Sequence, residues 1–150
     1  MAAEVYRDSV HIDAEPDFVY EYFIKPEALV RWMGDRAILD PRPGGQFTLV
    51  FGDRTVEGQY VELEPPHRLV ITWGRVGSAT FPPAPSTLVV TFTAEGRGTR
   101  VSIIHAGLPE RETHRHALGW QHYLARLAGV AAGRKPAPHV VPAALIEGVD

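Results

Sequence analysis

The chain has 150 residues, of which 45% are hydrophobic and 22% are charged, and this balance fits one globular domain with a single core. Its formal charge of −3, with 15 Lys and Arg residues scattered along the sequence, argues against a nucleic-acid binder. The lack of cysteine excludes disulfides, Cys-ligated zinc and a thiol nucleophile. No apolar run approaches the length of a membrane span, and the N-terminus has no signal-like apolar region. We therefore expect a soluble, cytoplasmic protein without a membrane association.

The first third of the chain predicts one strand followed by two short helices. Glu4 to Ile12 alternates apolar and polar residues as a half-buried strand does. Pro16 to Ile24 and Pro26 to Trp32 each begin with a proline, which suits a first helical turn, and continue with apolar residues at helical spacing. A Pro- and Gly-rich stretch at 41–45 ends this pattern.

The middle of the chain predicts a series of antiparallel strands, because β-branched runs alternate with short turn signals. Gly52 and Asp53 form a two-residue hairpin link, and a turn containing Gly96 and Gly98 forms a second. The predicted strands are Gln46–Phe51, Arg54–Leu63, Arg68–Arg75, Ser86–Thr93 and Thr99–Ala106. The segment between Arg75 and Ser86 is longer than an ordinary hairpin link, and it is a candidate cover for a pocket mouth.

A long amphipathic helix is predicted from Glu110 to Val130. Trp120, Leu124 and Leu127 lie on its apolar face, whereas Arg115, His122 and Arg126 fall on the other side. An antiparallel sheet with one apolar face would curve around this helix, with glycines such as Gly58 and Gly74 at the bend. The sheet residues expected to pack against it are Phe47, Phe51, Leu88, Val90, Phe92, Val101 and Ile103. This predicts an α+β protein with one domain over residues 1–132 and a Pro-rich tail over 133–150.

Several motifs in this order resemble a known family. They are Pro16 with Val19, Pro26 and Glu27 leading to Trp32, Gly44 and Gly45 before Phe47, Gly58, Pro65 to Leu69 leading to Trp73, Gly98 to Arg100, His105 to Leu108, and Gly119, Trp120, Leu124 and Leu127. The chain thus resembles the SRPBCC or START/Bet v 1-like helix-grip superfamily, in the branch related to the C-terminal domain of the activator of the Hsp90 ATPase. The resemblance implies a cavity between the curved sheet and the long helix, in which relatives hold apolar small molecules.

From this resemblance and the apolar strand faces we expect a carrier or sensor of a small apolar molecule, without catalysis and without a cofactor. The expected ligand-binding residues are Trp32, Phe47, Trp73, Phe92, His105, Trp120 and Leu124. Gly119 is unusual inside a long helix, and it predicts a close approach of the helix backbone to the sheet or to a ligand.

Two other functions compete with this one. An enzyme of the cyclase or isomerase kind would use His105, which alternates with Val101 and Ile103, or a cavity carboxylate as its acid or base. The competing interpretation of His105 is a core histidine bonded to protein groups. A protein-interaction module, such as a chaperone partner or a homodimer, would use an outer sheet face on which Val50, Val89 and Ile104 are expected to be exposed.

The remaining motifs argue against other chemistry. His114, His116 and His122 lack the i, i+4 spacing of a helical metal site, so they are expected on a solvated face and no metal is expected. Gly96 to Gly98 lacks the third glycine and the following helix of a dinucleotide-binding motif. Ser78 follows a glycine but lacks the second glycine of a nucleophile elbow.

Overall fold

A computed structural model describes residues 4–77 and 86–133, and within these ranges the chain forms one antiparallel sheet and three helices. The strands are β1 (Glu4–Ile12), β2 (Arg36–Leu39), β3 (Gln46–Phe51), β4 (Arg54–Glu64), β5 (Arg68–Arg75), β6 (Ser86–Glu95) and β7 (Gly98–Leu108). The helices are α1 (Pro16–Glu21), α2 (Pro26–Leu29) and α3 (Glu110–Ala131). The strand order is β1-β7-β6-β5-β4-β3-β2, and every neighbouring pair is antiparallel. The α+β helix-grip prediction is confirmed.

Both predicted hairpins are present. Phe51 pairs with Arg54 across the Gly52–Asp53 turn, and Glu95 pairs with Gly98 across the second turn. Strands β6 and β7 each extend two residues further at the C-terminal end than predicted, and β7 begins one residue earlier, because the ladder continues as long as both backbones have a partner. The segment 78–85, predicted to cover a pocket mouth, lies outside the described residues, as does the tail after Gly133.

The first third of the chain differs from the prediction in detail. Helices α1 and α2 are shorter than expected, each ending within two turns. Strand β2 was not predicted, because its four residues, Arg-Ala-Ile-Leu, show no alternation of polar and apolar types, although their side chains alternate between exposed and half-buried. It forms because the free edge of β3 offers unpaired backbone groups, as in the pairing of Ala37 with Leu49.

The core lies between the sheet and α3. Trp120, Leu124 and Leu127 are all buried, as the helical periodicity predicted. Pro109 occupies the N-cap position rather than the first turn of α3. Of the sheet residues expected to pack here, six are buried and only Phe51 is half-buried. Burying each large apolar side chain stabilises the fold by roughly 1.5–3 kcal/mol, so this layer dominates the packing energy.

Strands β4 and β5 approach each other closely at Gly58. A Cβ atom at this position would lie 1.9 Å from the backbone oxygen of Thr72, closer than any side chain allows. The absence of a side chain therefore permits the close approach of the two strands, and a role of Gly58 in bending the sheet stays a prediction.

The outer face of the sheet is less exposed than predicted. Val50, Val89 and Ile104 are half-buried, because cross-strand neighbours cover them in part; Val89 and Ile104 lie directly opposite each other. Homodimer formation through this face stays a prediction. Within residues 4–77 and 86–133, no helix combines the length and the apolarity that a membrane span requires.

Candidate functional site

A cavity of about 330 Å³ lies between the first half of α3 and the strands β3, β4 and β5. Its volume falls at the lower end of the range for small-molecule sites, roughly 300–1,000 Å³. Its apolar wall consists of Met33, Phe51, Val56, Trp73, Trp120 and Tyr123. The exposed residues Asp35, Gly52 and Asp53 lie at its rim. The cavity can therefore accept a compact molecule with a large apolar surface.

The aromatic part of this wall is held by neighbouring rings. The ring centroids of Trp73 and Trp120 lie 5.6 Å apart, and Phe47 packs behind Trp73 at 5.7 Å. Phe51 packs against Tyr123 at 5.8 Å on the other side. Because each ring is fixed by another ring, the apolar wall is preformed.

The inner wall carries a buried ion-pair cluster centred on Glu112, whose side chain is only 1% exposed. Arg75 Nη2 on β5 and Arg115 Nη1 on α3 both donate to the same oxygen, Glu112 Oε2, at 3.2 and 3.3 Å. The cluster joins the sheet to the first turns of the helix. A buried carboxylate is stable only when paired in this way.

His116 completes the inner wall. Its Nδ1 lies 3.0 Å from the backbone oxygen of Glu112, and a carbonyl only accepts, so the proton of the neutral ring is on Nδ1. Burial, opposed in part by Glu112, lowers the pKa of His116 to about 4. The imidazole is therefore neutral at pH 7.

His105 lies behind the cavity and is fully buried. Trp120 Nε1 donates to His105 Nδ1 at 3.1 Å, so the proton of the neutral ring is on Nε2, which donates to Ser86 Oγ at 2.9 Å. Ser86 Oγ donates in turn to the backbone oxygen of Trp73 at 2.7 Å. Burial, and then His116, lower the pKa of His105 well below its ordinary value. Both ring nitrogens thus serve structural hydrogen bonds, as the core-histidine interpretation requires.

Of the seven expected ligand-binding residues, the structure brings Trp73 and Trp120 together in the cavity wall. The other five lie elsewhere in the core. Trp32 donates Nε1 to the backbone oxygen of Tyr22, Phe92 packs between Tyr20 and Phe23, Phe47 packs behind Trp73, and His105 and Leu124 are buried. Side chains of α1 and the segment after it fill the far end of the sheet, so the cavity is confined to the end near the β3–β4 turn.

The prediction that the polar face of α3 is solvated is wrong for Arg115 and His116. The side chains of His116 and Arg115 are only 15% and 13% exposed, and both line the cavity, whereas His114 is exposed. The stripe that contains Trp120 continues towards the N-terminus through His116 and Glu112 at steps of four residues. This spacing could have identified Glu112 and His116 as residues that face the sheet, but their polar side chains suggested a solvated face.

The described part of the chain was also searched for clusters of metal-binding side chains. Among residues 4–77 and 86–133, no three His, Asp or Glu side chains are placed to hold a metal ion together. The buried acidic side chain that lines the cavity is Glu112, whereas Asp35 and Asp53 line its exposed rim.

Comparisons with known proteins agree with this architecture. The family described as "Activator of Hsp90 ATPase homolog 1-like protein" matches residues 13–132. A search of curated proteins found no match. The AHSA1-like protein RHE_CH02687 from Rhizobium etli is 40% identical, with a TM-score of 0.73 over 91% of this chain and 86% of that one.

Two more distant structures share the fold. DynU16, from the dynemicin biosynthetic locus, is 23% identical with a TM-score of 0.74; the match covers 87% of this chain but 48% of DynU16, so this chain spans about half its length. The Aha1 dimer from Colwellia psychrerythraea is 13% identical with a TM-score of 0.76, over 86% of this chain and 96% of that one. With a family match over most of its length and the helix-grip fold, the chain belongs to the Activator of Hsp90 ATPase homolog 1-like family.

Proposed function

We propose that this protein binds a small, largely apolar molecule in the cavity between the sheet and α3, as a carrier or sensor without catalysis. The observation that carries this proposal is the preformed aromatic wall around a volume of about 330 Å³. An apolar ligand that fills such a space gains the free energy of removing its surface from water, and the fixed rings lose little entropy on binding.

The hydrogen bonds of the site favour binding over catalysis. An acid or base must reach the reacting atom of the substrate. His105 is fully buried and uses both ring nitrogens within the protein. Glu112 is 1% exposed and its Oε2 is engaged by two arginines. His105 is therefore not placed for proton transfer to a bound molecule, and the carboxylate of Glu112 pairs with Arg75 and Arg115 in the cavity wall.

The first test uses the neutral fluorescent probe N-phenyl-1-naphthylamine, whose emission rises in apolar surroundings. We expect saturable binding to the wild type, and native mass spectrometry of the purified protein should show any small molecule that accompanies it. A wild type that binds no probe and carries no such molecule would contradict the proposed function.

The matched variants are Gly119→Leu and Ala125→Leu. Gly119 lines the cavity and is buried in α3, whereas Ala125 is exposed on the same helix. The leucine at 119 would occupy cavity space, so we expect probe affinity to fall about tenfold, the effect of roughly 1.4 kcal/mol. Ala125→Leu should bind as the wild type does. Equal binding by both variants, with both folded by circular dichroism, would place the probe outside this cavity.

A further inference from the structure

We propose that the ligand is elongated, with an apolar body in the cavity between sheet and α3 and a tail that passes Met33 into a second space along the same helix. Met33 divides the two spaces and thereby determines how long a bound molecule can be. This inference rests on the proposed function, and it adds the shape of the ligand and a residue that determines specificity.

The second space has a volume of about 290 Å³ and lies between the segment that joins α2 to β2 and the second half of α3. It is bordered by Val30, Trp32, Met33, Gly34, Asp35 and Arg126. Met33 and Asp35 border the cavity as well. On α3, Tyr123 borders the cavity and Arg126, three residues further along the same face, borders the second space. The two spaces therefore follow one another along the helix.

Met33 is the inner part of the boundary between them. The other shared residue, Asp35, is exposed, and its carboxylate accepts a hydrogen bond from the backbone N–H of Gly52 at 2.6 Å. Met33 is only 3% exposed, so its side chain separates the two spaces inside the protein. A methionine side chain is unbranched, has three rotatable bonds and adapts to the shape of its neighbours. Met33 can therefore turn aside when a ligand tail reaches it.

The backbone on both sides of Met33 is held in place. The N–H of Met33 donates to the backbone oxygen of Leu29 at 3.0 Å, and the N–H of Asp35 donates to that of Val50 at 2.7 Å. Between them, Gly34 has a φ of +79° and packs so closely on β3 that a Cβ atom there would lie 2.6 Å from a side chain of that strand. Joining the two spaces thus requires a change of side-chain rotamer and no movement of the chain.

The lining of the second space suits an apolar tail. Val30, Trp32 and Met33 supply apolar surface, and the charged residues Asp35 and Arg126 lie beside it. Each methylene group of a tail that leaves water for such a surface raises the affinity about fourfold. A molecule with a ring system in the aromatic cavity and an attached apolar chain should therefore bind more tightly than the ring system alone.

The three tryptophans of the chain report which space a ligand fills, because Trp73 and Trp120 border the cavity and Trp32 borders the second space. The probes are Prodan and Laurdan, two neutral compounds with the same dimethylaminonaphthalene group, of which Laurdan has the longer acyl chain. Each indole N–H gives one signal in a ¹⁵N–¹H NMR spectrum, assigned by triple-resonance methods. We expect Prodan to shift the signals of Trp73 and Trp120, and Laurdan to shift that of Trp32 as well.

Variants then assign the boundary to Met33, through the ratio of Laurdan affinity to Prodan affinity measured by fluorescence. Met33→Ala should raise this ratio about fivefold, because the tail no longer displaces a packed side chain. Met33→Phe should lower it about tenfold, because a bulkier and stiffer side chain blocks the passage. The matched control is Leu29→Ala, which shortens a buried side chain of α2 that borders neither space, and it should leave the ratio unchanged. Self-association of free Laurdan cancels when variants are compared.

The outcomes separate this inference from the proposed function. If neither probe binds the wild type, the proposed function fails. If Prodan binds in the cavity and Laurdan shifts the Trp32 signal no more than Prodan does, only the elongated ligand is overturned, and this result needs no variant to fold. An equal ratio in the wild type and in whichever of Met33→Ala and Met33→Phe is folded by circular dichroism would overturn the role of Met33. A rise in Leu29→Ala as large as in Met33→Ala would do the same.

Discussion

Acid should weaken this fold through two buried histidines. His105 and His116 are neutral in the folded protein, where burial lowers the pKa of each, to about 4 for His116. In the unfolded chain a histidine has a pKa near 6.5 and takes up a proton below it. The unfolded state therefore binds more protons than the folded state between these values, so stability is full above pH 6.5 and falls as the pH decreases towards 4.

As long as the imidazole stays neutral in the folded protein, the loss in the free energy of unfolding depends only on the pKa of histidine in the unfolded chain. Between pH 7 and pH 5, each such histidine lowers the free energy of unfolding by about 2 kcal/mol, and the two together by about 4 kcal/mol. The hydrogen bonds to Ser86 and Trp120 favour the neutral form of His105. At His116, Arg75 and Arg115 disfavour the protonated ring, whereas Glu112 favours it but offsets the effect of burial only in part. For a domain with about 5–15 kcal/mol of stability, such a loss is large.

Urea unfolding at pH 7 and pH 5, followed by circular dichroism, measures this effect. His105→Gln replaces the ring with a neutral group that can still donate and accept, so the loss between the two pH values should shrink by about 2 kcal/mol whatever the variant's stability at pH 7. His116→Gln should behave alike, and His114→Gln, exposed on the same helix, controls for the substitution itself. A loss in His105→Gln as large as in the wild type would refute the neutral, buried imidazole.

Two further predictions concern stability at pH 7, measured in the same way. Gly129→Ala should stabilise the protein by about 0.5–1 kcal/mol, because a Cβ there meets nothing within 4 Å and alanine is the better helix former. Gly58→Ala should destabilise it by several times that amount through the clash with Thr72. Similar effects of both would contradict the close approach of β4 and β5 at Gly58. Trp120→Phe removes the donor to His105 Nδ1 and should lower the free energy of unfolding by about 1–3 kcal/mol, in addition to the loss from the smaller ring. An additional loss below about 0.5 kcal/mol would argue against that hydrogen bond.

Much of the architecture could be predicted because its signals are local. The Gly52–Asp53 link set the β3–β4 hairpin, and the spacing of Trp120, Leu124 and Leu127 identified the face of α3 that meets the sheet. Such features depend on residues a few positions apart. Strand β2 was not predicted, because its formation depends on pairing with the edge strand β3 and not on a pattern in its own sequence.

The cavity could not be placed from the sequence, because alternation shows which face of a strand is apolar and not where space is left. Phe92 and Trp73 lie on the same face of neighbouring strands, yet Tyr20 and Phe23 fill the space beside Phe92 while the space beside Trp73 stays open. Glu112 escaped for a related reason. It lies on the same helical stripe as Trp120, but a carboxylate is buried there because it pairs with Arg75, 37 residues away in sequence, and no local pattern shows that pairing.

The pairing of β1 with β7 joins the first and the last strand of the chain, and this affects the order in which the protein can fold during synthesis. Ile12 pairs with Thr99 and Glu4 with Leu108, and Tyr6 Oη donates to the backbone oxygen of Ala117 in α3 at 3.4 Å. At roughly 5–20 residues per second, the ribosome needs on the order of 5–20 s to deliver the partner of β1 after β1 itself. During that interval the first strand has no neighbour, and the sheet and helix cannot close over the cavity. The site is therefore among the last parts of the molecule to form.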